Sequence, residues 1–124
     1  MVVYEAGESM RFDDFSISTG IKGVLNILHH YGLISSKEIP ENSKEPSVEL
    51  ENRKWLRAPT AGMFIPKISN GKDFIKGQVI GTVSDTFAKR TKKIKAPYDG
   101  LVFCINHQAV VNQGDALFHV GAKK

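Results

Sequence analysis

One short phrase occurs twice in this 124-residue chain. Residues 57–62 read Arg-Ala-Pro-Thr-Ala-Gly, and residues 95–100 read Lys-Ala-Pro-Tyr-Asp-Gly, thirty-eight positions later. Each copy leads into an apolar run, then into a glycine with a polar neighbour (residues 77–78 and 114–115), and then into a short run typical of a strand. A structural unit written twice within seventy residues predicts two similar halves around a shared core.

The region that holds both copies, residues 53–121, predicts a small all-β sandwich or barrel. Its short β-favouring runs are separated by Asn-Gly, Lys-Gly, Asp-Gly and Gln-Gly pairs, which indicate turns. Pro59 and Pro97 each precede a glycine by three residues and predict a tight turn entering the next strand. Because one half cannot bury its own apolar face, the halves should interlock with pseudo-twofold symmetry.

The first residues predict a different kind of structure. The contiguous β-favouring run at residues 2–4 has no alternation, which is typical of a strand buried on both faces in a parallel α/β sheet. Glu5 directly follows this run, at the place where α/β proteins usually carry chemistry.

A helix is predicted next, capped by Ser16 or Ser18 and running to about Tyr31. Gly32 is its expected C-terminal stop. Gly20 and Gly23 are expected to weaken the helix, and a glycine on a helix face often marks close packing against another element. The apolar stripe of this helix is broad, and its members are Ile17, Ile21, Val24, Leu25, Ile27, Leu28 and Tyr31.

A polar, proline-interrupted stretch follows at residues 35–49 and predicts a linker or an extended arm. The sequence thus predicts a strand and helix at residues 1–34, a linker at 35–52, the β domain at 53–121 and a tail at 122–124.

Charge and cysteine content restrict the function classes. The net charge is +4, and five basic residues fall within positions 89–95. This run is expected to be a solvated hairpin rather than a nucleic-acid site, because no aromatic residue interleaves with the charges. The single cysteine, Cys104, predicts a small core residue in a reducing compartment. No apolar run approaches the roughly 20 residues of a membrane span and no signal peptide is evident, so a cytoplasmic protein is expected.

The doubled Ala-Pro-x-x-Gly phrase resembles the biotinyl/lipoyl-carrier fold, a barrel-sandwich hybrid of two interlocked four-stranded halves. The resemblance covers about residues 54–121. Carrier domains present a modified lysine at the hairpin between the halves, typically between methionines. Lys89 lies near that place but lacks the Met-Lys-Met setting, so the carrier residue is expected to be absent.

The residues before the repeat resemble the succinylglutamate desuccinylase/aspartoacylase family. The resemblance rests on residues 3–9 (Val-Tyr-Glu-Ala-Gly-Glu-Ser), on residues 11–13, and on the helix end at 25–32. Residues 85–88 (Asp-Thr-Phe-Ala) also resemble the family's Asp-x-Phe-Gly hairpin, with alanine in place of glycine. The order of these features matches the family from end to end.

The resemblance implies a zinc hydrolase that cleaves N-acylated amino acids. It implies that Glu5, in the Glu-x-Gly position, is the catalytic general base of the parent enzyme. The zinc ligands, two histidines and a glutamate, are expected upstream of residue 1. No metal site is expected in this chain, because its four histidines lack ligand spacing; they are His29, His30, His107 and His119.

The chain is therefore interpreted as the C-terminal, non-catalytic region of a zinc-dependent deacylase, inactive alone. Its β domain is expected to limit the active-site entrance or to form oligomer contacts, and self-association through the orphaned helix is a further expectation. A small N-acyl amino acid is the expected substrate of the parent, and neither nucleic acid nor membrane is an expected partner. The alternatives are a biotin- or lipoyl-type carrier module and a basic anion-binding β module.

Overall fold

A computed structural model describes residues 3–8, 10–38 and 47–124. The chain divides into two compact units, Met1–Pro46 and Ser47–Lys124. The described residues of the first unit contain one α-helix, and the second unit contains eight β-strands.

The helix α1 spans Asp14–His30, and a 3₁₀ turn follows at Ser36–Glu38. Its N-cap is Asp13, whose carboxylate accepts hydrogen bonds from the Phe15 backbone N–H (3.2 Å) and from the Ser16 hydroxyl. The prediction of a serine cap is therefore wrong, because the serine donates to an aspartate that already caps the first turn. The hydrogen bond from Ser16 lowers the pKa of Asp13.

The predicted stop at Gly32 is confirmed. Gly32 has a φ of +71°, a conformation that favours glycine. Its N–H donates to the His29 carbonyl (2.8 Å), and the N–H of Leu33 donates to the Leu28 carbonyl (2.9 Å). These two bonds form a Schellman motif, which satisfies carbonyl groups that the helix end leaves open.

Residues 3 and 4, the described part of the strand predicted at residues 2–4, do not form a strand. Val2 lies outside the described residues, while Val3 and Tyr4 are irregular and exposed. A strand needs a neighbouring strand for its backbone hydrogen bonds, and the described part of this unit has none. Instead the Tyr4 ring packs on α1, since a Cβ added to Gly20 would lie 3.1 Å from it. Gly20 thus marks a close contact, whereas nothing lies within 4 Å of a Cβ added to Gly23, so close packing occurs at only one of the two helix glycines.

The second unit contains eight strands in two antiparallel four-stranded sheets. The strands are β1 Leu50–Arg57, β2 Gly62–Pro66, β3 Asp73–Phe74, β4 Val79–Ser84, β5 Thr91–Lys95, β6 Gly100–Ile105, β7 Val110–Val111 and β8 Ala116–Lys123. The sheet orders are β1-β8-β6-β3 and β5-β4-β2-β7. Adding four to each strand number, and counting on from β8 to β1, converts one sheet order into the other. Each sheet takes two strands from each copy of the repeat. The predicted interlocking is confirmed.

The repeated phrase makes reciprocal hydrogen bonds between the two copies. Ala58 of the first copy donates to the Asp115 carbonyl (2.8 Å) and accepts from Gly114 (2.9 Å) in the second. Ala96 of the second copy donates to the carbonyl of Gln78 (2.9 Å) in the first, and its own carbonyl accepts from residue 77 (2.8 Å). The Ala-Pro bend of each half is therefore closed by the glycine turn of the other half.

The glycine that ends each phrase allows two strands to approach closely. A Cβ added to Gly62 would lie 2.2 Å from the Ser84 carbonyl oxygen, and a Cβ added to Gly100 would lie 2.3 Å from that of Gly121. Neither position can hold a side chain without a backbone shift. The sequence signature thus has a steric origin.

A single apolar core lies between the sheets. Its largest fully buried side chain is Phe118 of β8, which packs edge-on against Phe64 of β2 with ring centroids 5.2 Å apart. The buried apolar residues are Ala58, Phe64, Phe74, Ile80, Val83, Ile94, Ala96, Val102, Val111, Leu117, Phe118 and Val120.

The prediction that Cys104 is a core residue is wrong. Cys104 is exposed. The ladder between β6 and β8 shifts between Val102 and Cys104, so Val102 pairs with Val120 while Cys104 pairs with His119. This bulge adds a residue to β6 and breaks the simple alternation of inward and outward side chains.

The basic run at residues 89–95 occupies the β4–β5 hairpin and strand β5. All five basic side chains are exposed, which confirms the predicted solvated hairpin. Strand β5 is an edge of its sheet, and lysines on an edge strand discourage pairing with other chains.

Candidate functional site

The predicted catalytic residue, Glu5, lies in an irregular and exposed segment before α1. Gly7, two residues later, has a φ of +81°, so the Glu-x-Gly pattern corresponds to a backbone turn that favours glycine. The other glutamate of this segment, Glu8, lies 3.5 Å from Arg11 in an exposed ion pair.

The residues on either side of Glu5 line an apolar groove. Tyr4 and Ala6 form one wall, and α1 forms the other. The groove has a volume of about 440 Å³. The Tyr4 hydroxyl donates to the Ser16 carbonyl (2.8 Å) and fixes the segment to the helix. Glu5 is therefore held next to a surface that can accept an apolar group.

The histidines do not converge. His29 and His30 end α1, His107 lies in the β6–β7 loop, and His119 lies within β8. Across residues 3–8, 10–38 and 47–124, no group of three or more His, Cys, Asp or Glu side chains could hold a metal ion.

An aromatic row that sequence reasoning missed crosses the outer face of the first sheet. The His119 ring lies between Trp55 (centroid distance 4.0 Å, stacked) and Phe103 (4.2 Å). Burial, and secondarily the positive charge of Arg53, lowers the pKa of His119. The row depends on the pairing of β1 with β8 and on the β6 bulge, neither of which a residue pattern reveals.

The hairpin between the copies is closed by Asp85. The Asp85 carboxylate accepts a hydrogen bond from the Lys89 backbone N–H (2.9 Å), and the Asp85 backbone carbonyl accepts one from the Ala88 backbone N–H (3.0 Å). Ala88 has a φ of +56°, a conformation that costs an alanine free energy and that glycine adopts freely. This explains why the resembling hairpin motif has glycine at this position. The Lys89 side chain is exposed at the hairpin tip.

No helix in the part of the chain that the structure describes is long and apolar enough to cross a membrane.

No family model matches the chain, and no curated protein does. Solved structures do match. A protein assigned as a succinylglutamate desuccinylase/aspartoacylase from Shewanella frigidimarina NCIMB 400 is 25% identical, with a TM-score of 0.71 over 90% of this chain and 31% of that one. A succinylglutamate desuccinylase/aspartoacylase from Rhodobacter sphaeroides is 22% identical, with a TM-score of 0.77 over 92% and 37%.

The ectoine utilization protein EutE from Ruegeria pomeroyi is 20% identical, with a TM-score of 0.78 over 90% of this chain and 36% of that protein. The chain thus spans about a third of the length of the structures it matches.

The fold, a helix followed by two antiparallel sheets, resembles a part of each of these larger structures. Five of the solved structures that it resembles carry the succinylglutamate desuccinylase or aspartoacylase name. The resemblance carried by the sequence is confirmed.

Proposed function

We propose that this chain is the C-terminal, non-catalytic region of a zinc-dependent deacylase that acts on N-acylated amino acids. One observation carries the proposal: matches to two structures that carry this family's name extend over 90% and 92% of the chain, and so include both the helix and the β unit. The zinc of such an enzyme would be held by residues outside the described ones, because these offer no ligand set.

Glu5 is the proposed general base of the complete enzyme. Its carboxylate is exposed rather than committed to an ion pair within the described residues, so it is free to take up a proton and to return it to the leaving amine. General acid–base catalysis by one positioned side chain typically contributes about 10²–10⁴-fold.

Glu5→Gln tests this role in the complete gene product, with Glu8→Gln as the matched control. The turnover of an N-acetylated amino acid should fall at least about 100-fold for Glu5→Gln and change little for Glu8→Gln. Equal losses in both variants would contradict the assignment. The 124-residue chain alone should neither hydrolyse the substrate nor retain zinc through gel filtration.

The β unit is proposed to be a barrel-sandwich hybrid with pseudo-twofold symmetry. The four-place shift that interconverts the sheet orders supports this. A single-chain long-chain acyl-CoA carboxylase also matches over 63% of the chain, with a TM-score of 0.52 and 23% identity. The β unit would shape the active-site entrance or mediate oligomer contacts.

The apolar stripe of α1 is the proposed contact with the rest of the enzyme or with a second copy. Ile21 and Val24 are more than half exposed, and no residue of α1 is buried. Exposed apolar surfaces of this kind tend to associate. Sedimentation of the chain should show association that Ile21→Asp removes and that the neighbouring Lys22→Asp retains. A strictly monomeric chain would remove self-association from the proposal.

A further inference from the structure

The β unit contains an open cleft that the proposed deacylase function does not use. It lies between the β2–β3 loop (residues 67–72) and the β6–β7 loop (residues 106–109), which occupy equivalent positions in the two halves. Its volume is about 680 Å³, within the range of small-molecule sites.

Five polar residues line the cleft, and their side chains are exposed. Within the described residues, none of them takes part in an intramolecular hydrogen bond or ion pair. The polar lining residues are Lys67, Ser69, Asn70, Lys72 and His107. Two ammonium groups, an imidazole, a hydroxyl and an amide thus supply hydrogen-bond donors that the protein itself leaves unused.

Among the described residues, no carboxylate lines this cleft. The nearest acidic residue in sequence, Asp73, is engaged by Lys123 at 2.7 Å. Residues 47–124 contain thirteen Lys or Arg and six Asp or Glu, whereas residues 1–46 contain four and seven. The β unit therefore has a formal charge of +7, which raises the local concentration of anions.

The two loops are held in place by backbone hydrogen bonds. The N–H of Lys67 donates to the Ile80 carbonyl (2.8 Å), and in the other half the N–H of Asn106 donates to the Leu117 carbonyl (2.8 Å). Gly71 donates to the Val102 carbonyl (2.8 Å). Such anchoring reduces the conformational entropy that a ligand would have to offset on binding.

We propose that this cleft binds a small multivalent anion, a phosphate or a di- or tricarboxylate, between Lys67, Lys72 and His107. The apolar floor of Ile68 and Ile105 fits a compact ligand with a short carbon skeleton. Among the described residues, no phenylalanine, tyrosine or tryptophan lines the cleft, so it lacks the series of large aromatic rings on which a single-stranded nucleic acid stacks.

Nuclear magnetic resonance on the ¹⁵N-labelled 124-residue chain tests the proposal with sodium phosphate and sodium citrate as separate probes. Sodium chloride at matched ionic strength is the reference. Saturable shifts of the amide signals are expected at residues 67–72 and 105–107. Saturation by one probe alone identifies the anion class, and saturation by both identifies a general multivalent-anion site.

The double variant Lys67→Ala/Lys72→Ala should bind the probe about tenfold or more weakly, because two cations close to the anion are removed. The control, Lys92→Ala/Lys93→Ala, removes the same charge from the exposed edge strand β5 and should stay within about twofold. Equal losses in both variants, shifts centred on residues 89–95, or no saturable shift with either probe would overturn the proposal. None of these results depends on deacylase activity.

Discussion

The two units of this chain differ in how they bury their apolar residues. The β unit encloses twelve buried apolar side chains between two sheets, whereas no residue of α1 is buried. The β unit therefore has a hydrophobic core of its own. The helix owes its local structure to its caps, and its apolar stripe is available to a partner.

The same substitution in both units gives the largest contrast. Phe118→Ala removes a fully buried ring and should lower the free energy of unfolding of the β unit by about 4 kcal/mol. Phe15→Ala removes a ring that is 77% exposed and should change it by less than about 0.5 kcal/mol. Trp55 is the only tryptophan, so its fluorescence in urea reports on the β unit. Similar urea midpoints for Phe118→Ala and Phe15→Ala would contradict the difference in burial between the two units.

The close approach of strands predicts the next largest effect. Gly100→Ala should destabilise the β unit by about 3 kcal/mol, because the new methyl group would meet the Gly121 carbonyl at 2.3 Å. Gly62→Ala should cost a similar amount at the equivalent place. Urea unfolding followed by Trp55 fluorescence measures both. A wide difference between the two variants would mean that the halves are not energetically equivalent.

The hairpin offers a stabilising change. Ala88→Gly should raise the stability of the β unit by about 1 kcal/mol, because glycine relieves the unfavourable backbone conformation at φ +56°. Ala61→Gly is the control, since Ala61 has no positive φ and should lose a little stability to the greater entropy of the unfolded chain. Thermal unfolding measures the stability of both variants. A loss of stability in Ala88→Gly would show that the backbone at Ala88 is not strained.

The smallest effect concerns two glycines of the helix. Gly23→Ala should stabilise α1 by up to about 1 kcal/mol, because nothing lies within 4 Å of the added Cβ. Gly20→Ala should gain less, because its Cβ would meet the Tyr4 ring at 3.1 Å. The helical circular dichroism signal during heating measures the difference. Equal gains would show that Tyr4 does not pack on the helix in solution.

Sequence reasoning succeeded where a pattern had a local physical cause. The doubled phrase predicted two interlocked halves because Gly62 and Gly100 obey the same steric requirement. Gly32 predicted the helix end because the Schellman motif needs a positive φ. Glu5 was singled out by its place after a β-favouring run and by a family resemblance, and its catalytic role stays a prediction.

Sequence reasoning failed where pairing between strands distant in the chain decides which side chains are buried and which lie together. Cys104 lies in an apolar run, but a bulge opposite His119 exposes it. The row of Trp55, His119 and Phe103 brings together three strands that are far apart in sequence. The basic cleft likewise depends on two loops that only the topology brings side by side. No periodicity in the chain records these neighbours.

The order of the first sheet has a consequence for biosynthesis. Strand β1 pairs along its length with β8, the last strand of the chain, and the bend after β1 is closed by residues 114 and 115. A nascent chain that has emerged only as far as the β4–β5 hairpin lacks the partners of both its edge strand and its first bend. The β unit therefore completes its fold only after β8 has left the ribosome. Until then, exposed apolar strands of the unfinished β unit are prone to aggregation, which chaperones or rapid synthesis would limit.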